Sequence, residues 1–396
     1  MKMIIVGGGL AGAHAAEELR KLGPEDEITL ISAESHLPYE RPPLSKGILL
    51  GSSEPEGAFV HDAPWYADNR VTLRLGAAVT SIDTSARLVK IGSEELSYDR
   101  LLLATGSTPR HLAALDDSDL NTLYLRTIDD ALTLKAQLNG KVLIVGAGWI
   151  GLEVAAAARE AGAEVTVVEA ASLPLQRVIG DELGTTIAEL HRSHGVDLRL
   201  STSIAEIDGH DVILSDGKRL TPDVVVVGIG ASPNTELAQA AGLDTANGIV
   251  VDAHLQSSDP DVFAAGDVAS QNHPDFGQLR VEHWDNAIEQ GKHAARAMHG
   301  DTTPYSRKPY FFTDQYDWGM EYYGHAAAGD VDEVIVRRTP GSNLITALWV
   351  KDSKVLAGLH FNDWDAIKSI RHLVDSDEVD VDALRDPANP LPSPAD

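Results

Sequence analysis

Residues 3–34 read MIIVGGGLAGAHAAEELRKLGPEDEITLISAE, and residues 141–170 read KVLIVGAGWIGLEVAAAAREAGAEVTVVEA. Each stretch begins with a short apolar run and continues through a G-x-G-x-x-G turn into an alanine-rich segment with helical spacing. A second apolar run then ends close to a glutamate. A buried strand, a helix and a second buried strand are typical of a parallel βαβ unit. The chain has two such units, which predicts an α/β fold.

The glycines of the first turn have separate predicted roles. Gly7 permits the sharp turn out of the strand, Gly9 lets the backbone approach a pyrophosphate, and Gly12 lets the helix pack closely on the sheet. The start of the helix offers unpaired N–H groups and a positive dipole end to phosphates. Glu34, 22 residues past Gly12, is placed to accept two ribose hydroxyls. The equivalent residues of the second turn are Gly146, Gly148, Gly151 and Glu169.

Both turns have the flanking elements and the distant acid that a dinucleotide site needs. Two glycine-rich turns with only a structural role are the alternative, and a single G-x-G-x-x-G would not exclude it. Because each copy carries the whole pattern, the sequence predicts two dinucleotide sites in one chain.

Composition limits the chemistry further. The 396 residues include no cysteine, 60 acidic and 32 basic side chains, for a net charge of −28. The length predicts two or three domains. Without cysteine there is no disulfide, no cysteine-ligated cluster and no thiol nucleophile, so an organic cofactor would have to hold any electrons that the protein transfers. The 15 histidines show no metal-ligand spacing, and we expect no metal.

The negative charge disfavours nucleic acid and anionic membranes as partners, since both bind positive surfaces. Neither a signal-peptide pattern nor an apolar run of membrane length is evident, and we expect a cytoplasmic protein.

Three further apolar runs end in small-residue turns. Residues 101–103 lead into Ala-Thr-Gly at 104–106, and residues 224–227 lead into a turn that includes Gly230. The third run ends at Gly266-Asp267, where an acid can bind a polyol chain and a following helix can face a phosphate. Each turn alone is typical of a sheet edge, but their order along the chain is informative.

That order resembles the FAD-dependent pyridine-nucleotide oxidoreductases built on the glutathione reductase plan. The first βαβ unit, the Ala-Thr-Gly turn and the Gly-Asp motif match that family's FAD segments, and the second βαβ unit matches its NAD(P) segment. The resemblance implies two Rossmann-like domains, the NAD domain being inserted into the FAD domain, followed by a C-terminal α+β domain. The implied boundaries are 1–108 and 233–306 for FAD, 109–232 for NAD and 307–396 for the C-terminal domain.

The stretch after Glu34 narrows the resemblance. Disulfide reductases of this plan have cysteines there, whereas residues 39–46 read YERPPLSK. The R-P-P-L-S-K run is similar to that of the ferredoxin and rubredoxin reductases that serve bacterial oxygenases and cytochromes P-450. In those proteins the Arg and Lys lie along the flavin, and the Lys pairs with a Glu that matches Glu153. We therefore expect Lys46 and Glu153 to be a catalytic pair in contact beside the flavin, where a cation stabilises the reduced ring. Two exposed surface charges are the alternative.

The resemblance assigns the other cofactor contacts. Trp284 is assigned to the flavin through the match alone, since a large aromatic on a helix is more often core, and Tyr39 stays open between the two roles. For FAD the residues are Gly7, Gly9, Gly12, Glu34, Arg41, Lys46, Ala104, Thr105, Gly106, Gly266, Asp267, Glu282, His283, Trp284 and Phe312. For NAD they are Gly146, Gly148, Ile150, Gly151, Glu153, Glu169 and Gly230.

Glu169 predicts NADH as the electron donor. The residues that follow it, Ala-Ala-Ser at 170–172, offer no cation to the 2′-phosphate of NADPH, and the carboxylate repels that phosphate. We expect at least about a hundredfold preference for NADH, at about 1.4 kcal/mol per factor of ten.

The acceptor must lie outside the chain, since no cysteine can hold an internal disulfide or cluster. The resemblance implies a [2Fe-2S] ferredoxin or a similar one-electron carrier, and a monomer or weak homodimer. Because ferredoxins are commonly acidic, a docking patch could include Arg307, Lys308, Arg337 and Arg338, although an ordinary solvated face is an equal alternative. A rubredoxin reductase, an NADH diaphorase and a slow NADH-sensing protein resembling the apoptosis-inducing flavoproteins are the other functions considered.

The end of the chain predicts a small antiparallel sheet and a helix. Residues 333–338, 344–351 and 354–361 have strand patterns, and residues 363–374 predict an amphipathic helix capped by Asn362. The acidic, proline-rich tail 375–396 predicts loose packing.

Overall fold

The computed structural model describes residues 1–327 and 329–393. Up to residue 230 the strands are β1 (Lys2–Val6), β2 (Glu27–Ile31), β3 (Val71–Arg74), β4 (Ser81–Asp83), β5 (Leu88–Ile91), β6 (Glu94–Ser97), β7 (Arg100–Leu103), β8 (Ser107–Pro109), β9 (Thr122–Leu123), β10 (Lys141–Val145), β11 (Glu164–Val168), β12 (Asp197–Arg199), β13 (Ile204–Asp208), β14 (Asp211–Leu214), β15 (Arg219–Leu220) and β16 (Val224–Val227). After it they are β17 (Ala231–Pro233), β18 (Thr245–Ala246), β19 (Gly248–Val251), β20 (Val262–Ala264), β21 (Ala269–His273), β22 (Gly277–Leu279), β23 (Tyr310–Gln315), β24 (Trp318–Gly324), β25 (Glu333–Arg338), β26 (Ile345–Lys351) and β27 (Lys354–Phe361).

The helices follow the same order. They are α1 (Leu10–Leu22), α2 (Gly47–Leu50), α3 (Ala63–Asp68), α4 (Ala113–Asp116), α5 (Ile128–Lys135), α6 (Trp149–Glu160), α7 (Gln176–Ser193), α8 (Glu236–Ala240), α9 (Trp284–Met298), α10 (Ala366–Val374) and α11 (Val381–Arg385). Short 3₁₀ turns lie at Pro42–Ser45, Pro55–Ala58 and Gly266–Val268.

The chain divides into two compact units. The first contains Met1–Pro42, Pro55–Thr108 and Ala231–Pro309, and the second contains Pro43–Glu54, Pro109–Gly230 and Tyr310–Asp396. The short segment Pro43–Glu54, which includes Lys46, therefore belongs to the second unit. The three-domain boundaries expected from the sequence stay a prediction.

The first unit is built on a parallel sheet with the strand order β20-β7-β1-β2-β3. Residues 3–6 of β1 are all buried, as expected for a strand covered on both faces. Helix α1 follows β1 and packs on α9, and the two helices approach so closely that a Cβ at Gly291 would lie 2.3 Å from the carbonyl oxygen of Ala11. The carboxyl ends of β1, β7 and β20 share one edge of this sheet, where open α/β folds bind ligands.

The second unit contains a matching parallel sheet with the order β12-β11-β10-β16-β9. Strand β10 pairs in parallel with β11 and with β16, so the carboxyl ends of these three strands also share an edge. Helix α6 follows β10 and is almost wholly buried from Gly151 to Ala158. The two βαβ units of the sequence are thus two Rossmann-like sheets, and the α/β class is confirmed.

A five-stranded antiparallel sheet, β23-β24-β27-β26-β25, ends the second unit. Strands β25, β26 and β27 agree with the sequence prediction to within a residue, whereas β23 and β24 were not predicted. The turn at Asp352 and Ser353 has the positive φ angles of a two-residue hairpin. The helix prediction was wrong at its start, because α10 begins at Ala366. Asn362 has φ +56°, and its side-chain oxygen accepts the N–H of Gly319 in β24. The side chain therefore binds a strand and does not cap a helix.

The tail is better packed than its composition suggested. Leu384 of α11 is 2% exposed and joins the apolar cluster beneath α10, and Arg337 donates to the carbonyl oxygen of Leu384. Apolar residues spaced through residues 379–391 cover the sheet in spite of the acidic and proline content. Residues 394–396 of the predicted loose tail lie outside the described residues.

Among the helices of residues 1–327 and 329–393, none combines the length and the apolar character that crossing a bilayer requires.

Candidate active site

The first glycine turn forms a close-fitting cradle at the start of α1. Gly7 has φ +126°, and a Cβ there would lie 2.0 Å from the carbonyl oxygen of Ala104. A Cβ at Gly12 would lie 2.0 Å from the carbonyl oxygen of Gly7. Gly9, by contrast, has open space on its Cβ side, and no side chain caps the helix that it starts. The turn therefore combines backbone packing that only glycine allows with free N–H groups facing open space, which fits a pyrophosphate.

The acid expected at the ribose lies half-buried beyond β2. The Tyr39 hydroxyl donates to Oε2 of Glu34, and Nη2 of Arg41 lies 3.0 Å from Oε1 of the same carboxylate. The role of Tyr39 was left open by the sequence. Its side chain is 3% exposed, and its hydrogen bond to Glu34 orients this acid. Burial lowers the pKa of the Arg41 guanidinium, but Tyr39, Glu34 and Asp267 outweigh burial, and the pKa is raised.

The other residues of the first unit that we expect to contact FAD lie at the same sheet edge or at the start of α9. The turn 104–106 follows β7, and Oδ2 of Asp267, after β20, accepts a hydrogen bond of 2.9 Å from Ser107. His283 is the N-cap of α9, Glu282 pairs with Arg280, and Trp284, the first residue of the helix, packs against the core of this unit.

The second glycine turn repeats the first. Gly146 has φ +103°, and a Cβ there would lie 2.5 Å from the carbonyl oxygen of Gly228; a Cβ at Gly151 would lie 2.1 Å from that of Gly146. Gly148 starts α6, again without a side-chain cap. Ile150, in the first turn of α6, is 44% exposed, which fits a residue that covers a ligand. Gly230, with φ +101°, lies beyond β16 at the same edge.

The carboxylate of Glu169 lies against this second turn. Oε2 accepts the backbone N–H of Ala147 at 2.8 Å, and Oε1 accepts that of Ala171 at 2.8 Å. Ala147 lies between Gly146 and Gly148, so the acid is fixed beside the turn. This arrangement fits recognition of a ribose, and a carboxylate here would repel the 2′-phosphate of NADPH.

Lys46 and Glu153 are in contact, as expected. Nζ of Lys46 lies 2.7 Å from Oε1 of Glu153, within the second unit. The lysine side chain is 21% exposed and the glutamate side chain 5%, so the anion is the deeper partner. Lys46 precedes α2, and its Nζ also lies 5.4 Å from the centre of the Phe312 ring. An ammonium has three N–H donors, and Glu153 takes only one of them.

Two hydroxyls that the sequence did not single out complete the site of Glu153. Thr313 Oγ1 donates to Oε1 at 2.6 Å, and the Ser45 hydroxyl donates to Oε2. Both hydroxyl residues are buried, Ser45 at 4% and Thr313 at 3% exposure. A buried carboxylate needs more than one donor. Ser45 and Thr313 are the sequence neighbours of Lys46 and Phe312, and that position was the signal that could have identified them as donors.

The basic residues considered for docking are already engaged. Arg307 makes two hydrogen bonds to Asp285, at 2.8 and 2.7 Å, which raise the pKa of its guanidinium. Arg338 pairs with Glu182, and Arg337 donates to backbone carbonyl oxygens near the chain end. Within the described ranges, no group of three or more His, Asp or Glu side chains is arranged to hold a metal ion.

Comparison with known proteins places these sites in a family. The family model described as pyridine nucleotide-disulphide oxidoreductase matches residues 1–291, and the one described as reductase C-terminal matches residues 310–394. The chain therefore belongs to the pyridine nucleotide-disulphide oxidoreductase family. It is an oxidoreductase that works with FAD and NAD(H), and the glycine turns, the two ribose-side acids and the Lys46–Glu153 pair fit that chemistry.

Individual relatives agree over almost the whole chain. The ferredoxin–NAD(+) reductase component of the anthranilate 1,2-dioxygenase system of Burkholderia cepacia is 39% identical over 380 residues, covering 94% of this chain and 93% of the relative. The rubredoxin–NAD(+) reductase of Pseudomonas putida is 34% identical over 366 residues, covering 90% and 94%. Putidaredoxin reductase, in its covalent complex with putidaredoxin, superposes with a TM-score of 0.93 at 35% identity, covering 98% and 97%.

Proposed function

We propose that this protein is an NADH-dependent ferredoxin reductase, passing electrons from NADH through FAD to a small iron–sulfur carrier of an oxygenase or cytochrome system. The observation that carries the proposal is the contact between Lys46 and Glu153 in a chain without cysteine. A disulfide cannot take the electrons here, and the segment that would carry it instead provides a paired cation. The similarity to ferredoxin–NAD(+) reductase components supports the same function.

The residues of the two glycine turns would bind the two dinucleotides and orient them. Bound FAD supplies the chemistry that no side chain here has, taking two electrons as a hydride and giving them up one at a time. The turn at Gly7–Gly12 and the Glu34 carboxylate would hold the FAD phosphates and ribose, and the turn at Gly146–Gly151 and Glu169 would hold those of NADH. Hydride transfer needs alignment and exclusion of water but no general base, so positioning is the contribution required of these residues.

Lys46 has an electrostatic role in this proposal. A cation held in place stabilises negative charge that develops on a bound ring, and it needs no reorganisation when the charge appears. Glu153 accepts hydrogen bonds from Ser45 and Thr313 as well as from Lys46, and it holds the ammonium in place. We assign both as catalytic residues, and the remaining FAD and NAD residues of the sequence analysis as binding residues.

Turnover with purified carriers tests the acceptor. The reductase would be mixed with NADH, cytochrome c and, in separate reactions, a [2Fe-2S] ferredoxin, a rubredoxin or a soluble quinone. We expect rapid cytochrome c reduction that depends on the ferredoxin. Fast reduction with rubredoxin alone would favour the rubredoxin reductase alternative, which the Pseudomonas putida relative supports. Activity with quinone alone would indicate a diaphorase, and slow reduction with every acceptor a sensor.

Two further expectations, about the cellular location and the docking surface, belong to the same proposal. We place the reaction in the cytoplasm, where NADH is available as a donor. Arg307 and Arg338 are each paired with an acidic side chain, and a cation already paired in this way adds little to docking. We therefore expect the ferredoxin to bind through other residues.

A further inference from the structure

A line of buried polar side chains leads away from the Glu153 carboxylate within the second unit. Thr313 Oγ1 lies 2.6 Å from Oε1 of Glu153, and Nε2 of Gln315 lies 3.3 Å from Thr313 Oγ1. Oε1 of Gln315 lies 2.8 Å from Nε2 of His191 on α7. The Tyr316 hydroxyl lies 3.3 Å from the other ring nitrogen, Nδ1, of His191. We call these four residues, Thr313, Gln315, His191 and Tyr316, the donor chain.

The inner members of the donor chain are shut off from water. Gln315 is 2% exposed, Thr313 3% and His191 0%. A buried amide or imidazole without a hydrogen-bond partner destabilises the fold, so such groups persist where their partners satisfy them. Each member here satisfies the next one, and the chain ends on a carboxylate that is itself 5% exposed.

The direction of every hydrogen follows from that carboxylate. An ionised carboxylate only accepts, so the Thr313 hydroxyl must donate to Glu153. Gln315 must then turn its NH₂ group toward Thr313 and its oxygen toward His191. That oxygen also only accepts, so Nε2 of His191 carries the ring proton, and Nδ1 is left to accept from Tyr316.

The protonation of His191 agrees with this direction. Burial lowers the pKa of His191 to about 4, so the ring carries a single proton near neutral pH. A doubly protonated ring would present an N–H to Tyr316 in place of an acceptor. All four hydrogen bonds therefore point the same way, toward Glu153, and bonds aligned in a chain polarise and strengthen one another.

We propose that Gln315 and His191 are positioning residues for the Lys46–Glu153 pair. Thr313 and Lys46 share the same oxygen of Glu153, so the hydroxyl fixes the point to which the ammonium is drawn. Gln315 fixes the hydroxyl in turn and His191 fixes Gln315, so both residues act on the pair through Thr313. The catalytic consequence rests on the proposed function of the pair; the structural coupling does not.

The tip of the β23–β24 hairpin anchors the far end of the donor chain. Tyr316 has φ +57°, a left-handed conformation that is strained for a residue other than glycine. Its ring stacks on that of His194, with centroids 3.7 Å apart and planes within 10°, and lies edge-on to His191. These contacts hold the strained turn on the end of α7, and with it the strand that carries Thr313 and Gln315.

Gln315→Glu is the most direct test, since it keeps the shape and reverses one polarity. The new carboxylate accepts from both His191 and Thr313, so the hydroxyl turns away from Glu153. We expect the rate at which NADH bleaches the flavin absorption to fall about tenfold, the effect of losing one hydrogen bond to a charged group, with the KM for NADH unchanged. Gln239→Glu, at an exposed position of α8, carries the same charge change and controls for it.

A second pair of variants protects the test against misfolding. Thr313→Val removes the hydroxyl at nearly constant volume and should reproduce the tenfold loss, whereas Thr313→Ser keeps the donor and should restore most of the rate. Both changes should matter only through Glu153. In the Glu153→Gln background, Gln315→Glu and Thr313→Val should therefore each change the rate by less than twofold.

The melting temperatures of the same variants provide a readout that needs no activity. If the donor chain acts through Glu153, the shift in melting temperature for Gln315→Glu with Glu153→Gln is smaller than the sum of the single shifts. Additive shifts and additive rate effects overturn the inference. Absence of NADH oxidation in the unmodified protein overturns the proposed function instead, and non-additive melting shifts would then still support the coupling.

Discussion

Nζ of Lys46 lies 2.7 Å from Oε1 of Glu153, a residue 107 positions further along the chain. The glutamate is almost fully buried, and the lysine is its only cationic partner among the hydrogen bonds described. Taking a carboxylate out of water costs several kcal/mol, and the nearby cation and hydroxyls recover that cost. The pair thus joins the Pro43–Glu54 segment to helix α6 within the second unit, so the position of the cation and the stability of this unit depend on the same contact.

Removal of the cation should destabilise the protein and slow its reduction. Lys46→Met leaves Glu153 buried without its counter-charge, and we expect a loss of about 3 kcal/mol in the free energy of unfolding, at the lower end for a broken buried pair because the lysine is partly exposed. Urea unfolding measures this, with Lys90→Met, from an exposed pair with Glu95, as the control. Adding Glu153→Leu to Lys46→Met should recover stability but not the rate of reduction. Full stability of Lys46→Met would show that the buried Glu153 carboxylate does not need this counter-charge.

The NADH preference should depend on the charge next to the second turn. Glu169→Gln with Ala170→Arg removes the carboxylate at that turn and offers a guanidinium to a 2′-phosphate. We expect kcat/KM for NADPH relative to NADH to rise about a hundredfold, from about 1.5–3 kcal/mol for the charged hydrogen bond. Ala136→Arg, at the exposed end of α5, adds the same charge elsewhere and should leave the ratio unchanged. An unchanged ratio in the double variant would mean that Glu169 does not face the ribose.

Two glycines of the first turn should fail in different ways. A methyl at Gly12 would meet the carbonyl oxygen of Gly7 at 2.0 Å, so Gly12→Ala should lower the melting temperature of the apoprotein. A methyl at Gly9 meets no protein atom within 4 Å, so Gly9→Ala should melt like the unmodified apoprotein yet bind FAD at least tenfold more weakly. Calorimetry of FAD binding and thermal melts separate the two effects. Undiminished FAD affinity in Gly9→Ala would place the pyrophosphate elsewhere.

His191 should make stability depend on pH in a defined window. Burial lowers its pKa from the ordinary value of about 6.5 to about 4, so between these values the unfolded chain binds a proton that the folded chain does not. Stability is therefore lost as pH falls through that window, by up to about 3 kcal/mol from this one group.

Urea unfolding of the unmodified protein and of His191→Gln between pH 4 and 7 measures that contribution. The pKa values of His14, His273 and His293 are also lowered by burial, so the share of His191 is the difference between the two profiles. His210→Gln, at an exposed turn, should leave the profile unchanged. Parallel profiles for His191→Gln and the unmodified protein would show that the ring is accessible to protons.

Much of the fold can be predicted from short stretches of the sequence. Residues 3–12 and 141–151 contain a buried strand, a turn and a helix start. Close backbone packing restricts two positions of each turn to glycine, Gly7 and Gly12 in the first and Gly146 and Gly151 in the second. The Lys46–Glu153 contact could be expected only from resemblance, since nothing local in either segment points to the other. Contacts of this kind depend on the whole tertiary arrangement.

The parts that sequence reasoning missed are also non-local. His191 and Gln315 are 124 positions apart, and neither residue stands out by composition or spacing. The start of α10 was misplaced because Asn362 is used to bind the backbone of Gly319, a strand partner invisible in a linear pattern. The acidic tail packs because a few apolar side chains, Leu384 above all, outweigh its average composition.

The proposed function requires that this chain binds FAD and that NADH reduces the bound FAD. The most direct measurement is an anaerobic titration of the purified, FAD-loaded protein, followed by its visible absorption, with NADH and NADPH added in turn. We expect flavin bands that bleach with about one equivalent of NADH and persist at the same concentration of NADPH. A protein that stays colourless after incubation with FAD, or whose bands survive excess NADH, would not be the flavin-dependent reductase proposed above.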